Sequence, residues 1–132
     1  VIKIRFAKDY SEITAAGHSG YAEEGHDVVC ASVSSAFVLT SEMLKNLRVK
    51  HNFGMDGNVP FIGIKLAGRK TVGVVTLSSL IHTMELLKEE YPDFISVECV
   101  DTKKVEEENL LKILSEDKDN LVVTEEDNIP TA

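Results

Sequence analysis

The sequence predicts an α+β fold, two helices layered on a mainly antiparallel sheet in a single domain, and three observations carry that expectation. Short stretches that alternate apolar and polar residues come in pairs, VIKIRF with EITAAGH and VKHNF with VPFIGIKL. Two longer stretches repeat their apolar residues at helical spacing and interleave with those pairs, a pattern of helices on a sheet rather than a bundle or a sandwich. A chain of 132 residues with 43% hydrophobic content is long enough to bury one real core without disulfides or metal staples.

VIKIRF and EITAAGH, separated by Lys8-Asp9-Tyr10-Ser11, read as a β-hairpin with one face buried and His18 at its far end. Residues 19 to 26, SGYAEEGH, hold two glycines and no sustained period, so they form a loop. Asp27 stands where a helix N-cap belongs. From Val28 onward, Val29, Val33, Phe37, Leu44 and Leu47, with Ala36 and Met43 beside them, fit one helical face to about residue 48.

Residues 49 to 68 form a second hairpin, with its turn at 54 to 58 and Pro60 at an edge or strand start. A second helix is expected from about Thr71 to Glu90, with Val75, Ser78, Ser79, Leu80, Met84 and Leu87 on its inner face and Tyr91-Pro92 ending it. FISVECV makes a closing strand, in which Cys99 reads as core. Past Asp101 the pattern weakens. KVEEENLLKILSEDKDN can form one short amphipathic helix through Leu110, Leu111 and Leu114, and residues 102–132 read as a partly ordered acidic appendage to a domain of residues 1–101.

Of the net charge of −8, most lies at this end, since residues 101 to 132 hold ten of the 22 acids and four of the 14 basic residues. Such a surface argues against direct nucleic-acid binding, which needs clustered Lys and Arg, and suits a basic protein partner. No apolar run approaches the ~18 residues of a membrane span, so no membrane is expected. Two cysteines without a C-x-x-C pair or a disulfide framework suit a reducing compartment, and the expected location is cytoplasmic.

Cys30 falls in the first turn of the first helix, third after the Asp27 cap, near unpaired backbone N–H groups and the positive end of the helix dipole. That setting favours a thiolate but is too weak alone, because lowering a thiol from about 8.5 by two units takes ~2.7 kcal/mol and a helix end supplies about 0.3–1 kcal/mol. A second cation is needed. His18 can be it, since a strand end and the following helix start commonly meet at one edge of a sheet, and Cys30 would then be the nucleophile with His18 as base and acid.

His26 is a rival for that role. His51, between Lys50 and Asn52, and His82 read as surface or interface residues. Asp27 as a negative charge would oppose the thiolate, so it is read as a cap or as a group orienting the loop. His18, His26 and Cys30 are also three potential zinc ligands, but they lack a fourth partner and the usual short ligand spacings, and neither a metal nor a cofactor is expected.

The string Gly17-His18, a glycine-containing loop, then Gly25-x-Asp27-x-Val29-Cys30-Ala31-x-Val33-Ser34 closely resembles the ribosomal-processing cysteine protease family, and the likeness runs from residue 1 to about 99. The resemblance implies a cysteine endopeptidase that removes a short N-terminal extension from a bacterial large-subunit ribosomal protein, the one numbered twenty-seven. It implies a dyad of His18 and Cys30, a homodimer, and a loop that closes over bound peptide. Gly17, Gly20, Gly25, Asp27 and Ser34 then serve as loop, cap or substrate-binding support. Residues 102–132 lie outside the likeness. The rival reading is a non-catalytic, ribosome-associated binding protein using the same loop and acidic surface.

Overall fold

The computed structural model describes residues 1–23, 27–56 and 60–101, and the backbone of residues 121–123. Its elements are β1 (Ile2–Ala7), β2 (Glu12–Ala16), α1 (Val28–Asn46), β3 (His51–Asp56), β4 (Phe61–Leu66), α2 (Thr71–Glu90), β5 (Ile95–Val100) and β6 (Leu121–Val123). They give two helices and one sheet in the order β5-β1-β2-β4-β3-β6. The α+β architecture is as expected.

The reversal between β1 and β2 is made by Asp9, whose Oδ1 accepts from Ser11 N at 3.1 Å and Ser11 Oγ at 2.6 Å, with Tyr10 at a φ of 62°. A short carboxylate side chain here takes the place of a backbone acceptor in the turn. β2 then pairs antiparallel with β4, and β4 with β3, while β5 joins the other edge parallel to β1.

Strand directions follow from these pairings. β2 and β3 run one way, and β1, β4 and β5 run the other. A parallel return needs a crossover of a dozen or more residues, which α1 supplies between β2 and β3 and α2 supplies between β4 and β5. The ends of β2 and β3, the beginnings of β1, β4 and β5 and the start of α1 therefore gather at one end of the sheet.

The core lies between the helices and the sheet. Val29, Val33, Phe37 and Leu44 of α1 and Leu77, Leu80, Ile81 and Met84 of α2 are buried in one cluster with Ile2, Ile4, Ile13 and Ile64. Phe37 has no exposed surface, and its truncation to Ala is expected to cost about 3–5 kcal/mol. α1 is long and apolar enough in composition to cross a membrane, although polar residues interrupt its apolar run; here its inner stripe is covered by the sheet and α2.

Several expectations change. The second turn does not begin at Gly54, because Gly54, Met55 and Asp56 continue β3 in register with Gly63, Ile62 and Phe61. Val75 and Met43 point outward, and α2 instead buries Gly73, Thr76, Leu77, Leu80, Ile81 and Met84. Cys99 is exposed on β5, not core: it shares the inner face of Ile95 and Val97, but β5 is an edge strand and burial falls along that face from Ile95 through Val97 to Cys99. His51 is buried, not on the surface, for a reason given below. The helix expected through Leu110, Leu111 and Leu114 lies outside the described residues. Beyond Asp101 the described backbone is β6, antiparallel to β3 through Gly54↔Leu121, Phe53↔Val122 and Asn52↔Val123.

Candidate active site

Gly17 closes β2 in a conformation that other residues rarely adopt. Its φ is 98°, its N–H donates to Pro60 O at 2.9 Å, and a Cβ there would lie 2.6 Å from Val1 O. The backbone is thus clamped between the start of β1 and the start of β4. His18 follows, its carbonyl accepting from Val1 N at 2.6 Å and its side chain exposed at the mouth of a cleft.

The loop then turns at Gly20, φ 75°, and carries Tyr21 onto an aromatic pair. The Tyr21 ring meets Tyr91 edge-on at 5.6 Å and Phe94 at 5.2 Å, the residues between α2 and β5. Edge-to-face pairs of this kind add about 0.5–1.5 kcal/mol each beyond the area they bury. Gly25 and His26 lie outside the described residues.

Asp27 is the N-cap of α1, as the sequence predicts. Its Oδ1 accepts from Val29 N and Cys30 N, both at 3.0 Å, and its Oδ2 accepts from the Ser19 hydroxyl. Burial works against the charged form, but hydrogen bonds from Ser19, from Cys30 and from Val29 outweigh it and hold the Asp27 carboxyl below its ordinary value. Cys30, partly buried in the first turn, accepts at Sγ from Ser19 N at 3.4 Å.

These residues share one cleft of about 580 Å³. Gly17, His18, Gly20, Asp27, Cys30 and Ser34 all line it, so the structure brings together every described residue that the sequence singled out. Facing them are Met55, Asp56, Pro60, Phe61 and Ile62 from the β3–β4 hairpin. The lining is mostly apolar, with two carboxylates, Asp27 and Asp56. Among the described residues no group of three His, Cys, Asp or Glu side chains is arranged to hold a metal ion.

The other histidine of interest is elsewhere. His51 Nδ1 donates to Val49 O at 2.8 Å, which leaves Nε2 to accept from the Ser41 hydroxyl at 3.1 Å. Burial lowers its pKa, the Val49 carbonyl works the other way without cancelling it, and the positive charge of Lys45 adds to the lowering. Ser41 lies eleven residues along α1 from Cys30, roughly 16 Å of helix, so His51 belongs to the core and not to the cleft.

The profile of the family described as cysteine protease Prp matches residues 1–96. The chain belongs to the Prp cysteine protease family. A relative from Mycoplasma pneumoniae, the ribosomal processing cysteine protease Prp, is 30% identical over 97 residues, covering 72% of this chain and 93% of the relative.

Two crystal structures of the essential ribosomal processing protease Prp from S. aureus share the fold. One holds a covalently linked product peptide and superposes with a TM-score of 0.71 at 19% identity, over 76% of this chain and 100% of that one. The other holds a substrate peptide, with a TM-score of 0.65 at 17% identity, over 74% of this chain and 97% of that one. The match to the Prp family covers the peptidase fold and stops before the acidic end of the chain.

Sequence reading missed the β3–β4 wall of this site and, in the loop, Ser19 and Tyr21. Ser19 and Tyr21 sit in a loop without period, and their partners, Asp27 and the Tyr91–Phe94 pair, come from elsewhere in the chain. The weak signal available was a hydroxyl beside His18 and an aromatic in an otherwise polar loop.

Proposed function

We propose that this Prp-family protein is an endopeptidase in which Cys30 is the nucleophile and His18 its base, removing the N-terminal extension of the large-subunit ribosomal protein numbered twenty-seven. The observation that carries the reading is the convergence of His18 and Cys30 on one cleft, with a backbone donor already aimed at the sulfur. The relatives, ribosomal processing proteases of which two structures hold peptides, support the substrate class. An acidic chain with Asp27 and Asp56 on the cleft suits a basic substrate.

His18 takes the thiol proton, and the thiolate attacks the scissile carbonyl to form a tetrahedral oxyanion. Collapse breaks the C–N bond as His18 gives its proton to the leaving amine, leaving a thioester on Cys30. Water, deprotonated by His18, then releases the acid and restores the thiol. The N–H groups of Val29 and Cys30 are occupied by Asp27 Oδ1, and that of Ala31 by Asp27 O, so donors for the oxyanion are other backbone N–H groups at the cleft. A homodimer in the cytoplasm belongs to the same proposal.

The test is incubation with a peptide carrying the extension, followed by mass analysis of the products. Wild type and Cys99→Ala should cleave it and Cys30→Ala should not, while keeping the wild-type melting temperature. Binding of the peptide without cleavage by wild type would favour the non-catalytic reading instead.

A further inference from the structure

Ser19 makes more connections at this site than any residue the dyad requires. It is buried, 2% exposed, although it sits in a loop between two glycines of positive φ, Gly17 and Gly20. Its N–H donates to Cys30 Sγ, its hydroxyl donates to Asp27 Oδ2, and its Oγ accepts from Tyr21 N at 3.0 Å. Asp27 is itself fixed to the start of α1 by two backbone N–H groups. The loop bearing His18 and the helix bearing Cys30 are therefore joined at one residue, through the Ser19 hydroxyl and the Ser19 N–H.

We propose that Ser19 is a positioning residue of the reaction centre, its hydroxyl locking the loop to Asp27 so that its own N–H stays on the Cys30 sulfur. This rests on Cys30 being the nucleophile. A donor to sulfur stabilises the thiolate more than the thiol, and a loop hinged on two flexible glycines does not hold such a donor in place unaided. The Asp27 charge opposes the thiolate, and the Ser19 hydroxyl draws part of that charge into a hydrogen bond. Loss of the hydroxyl acts through both routes in one direction: the N–H drifts from sulfur, and the carboxylate beside it is less satisfied. The β3–β4 wall of the cleft is untouched, so binding of substrate changes little.

The experiment compares wild type, Ser19→Ala and Ser19→Thr in the full-length chain. Alkylation of Cys30 by iodoacetamide is followed across pH by mass spectrometry, which separates it from the exposed Cys99. A hydrogen bond to a charged group corresponds to a shift of about one pH unit, so the Ser19→Ala profile should move upward by about that much. With the extended peptide, kcat should fall about tenfold at neutral pH and KM should stay within about twofold. Ser19→Thr, which keeps a hydroxyl, should return both readouts most of the way.

A Ser19→Ala profile that overlies wild type overturns the proposal, as does a loss wholly in KM. So does a Ser19→Thr variant as impaired as Ser19→Ala at an unchanged melting temperature. If wild type cleaves no peptide, the peptidase reading fails, whereas the alkylation profile still reads the hold of Ser19 on the thiol.

Discussion

The two ends of α1 treat a histidine in opposite ways. At the N-terminal end His18 is exposed and lines an open cleft together with Cys30, whereas towards the C-terminal end His51 is sealed between Ser41 and Val49 with both ring nitrogens engaged. A ring whose nitrogens are both taken by buried partners cannot accept a proton from a thiol, and its job is to satisfy polar groups in the core. A ring at a cleft is free to exchange protons. The difference lies in what surrounds each imidazole, and the substituent chemistry is identical.

The largest expected effect separates the two directly. His18→Ala should lower kcat by about 10²–10⁴-fold, the usual contribution of a positioned acid–base group, with the melting temperature unchanged. His51→Ala should do the reverse, losing about 1–3 kcal/mol of stability for each partner left unsatisfied while the folded fraction keeps its kcat. Kinetics and thermal melts on both variants measure this. Loss of kcat in folded His51→Ala would break the contrast.

A smaller effect appears in stability against pH. The His51 pKa is depressed below its ordinary 6.5, so the unfolded state binds the proton first, and stability is complete above about 6.5 and declines as pH falls below it. The Asp27 carboxyl is also depressed, from 3.8, so its contribution is present above that value and is lost as pH falls through the lower folded one. Denaturant titrations should therefore show His51→Gln flattening the upper window and Asp27→Asn the lower one. If Asp27→Asn flattens the window near 6.5, the assignment is wrong.

The smallest effect concerns the acidic end. Truncation after Asp101 removes nine acids and four lysines, a net five negative charges, together with β6. Electrostatic attraction of a basic substrate is screened within about 8 Å at physiological salt. The truncated protein should hydrolyse a short peptide at the wild-type rate and process the full basic protein more slowly at low ionic strength, the gap closing as salt is added. Halved activity on the short peptide at every salt concentration would show instead that the pairing of β6 with β3 supports the cleft.

The contrast between the two ends was half legible in the sequence. Asp27 announced the helix start, and Thr71 and Glu90 bound α2 as the periodicity and the Tyr91-Pro92 stop predict, because caps and breakers act locally. His51 misled because Lys50 and Asn52 flank it in sequence while Ser41, the partner that makes its burial tolerable, comes from another element. Cys99 misled for a related reason: alternation places it on the covered face with Ile95 and Val97 without saying how far along an edge strand the cover extends. Ser19 had no local signal, since its importance comes from Asp27 and Cys30 across the loop.

The most direct test of the Cys30–His18 assignment is the rate of Cys30 alkylation between about pH 5 and 9, a range spanning the ordinary imidazole and thiol values, in wild type, His18→Ala and His51→Gln. With Cys99 as the internal reference thiol, wild type and His51→Gln should both react faster at Cys30 than at Cys99 near neutrality, and His18→Ala should lose that excess. An excess that survives in His18→Ala, or that disappears in His51→Gln, would contradict the account.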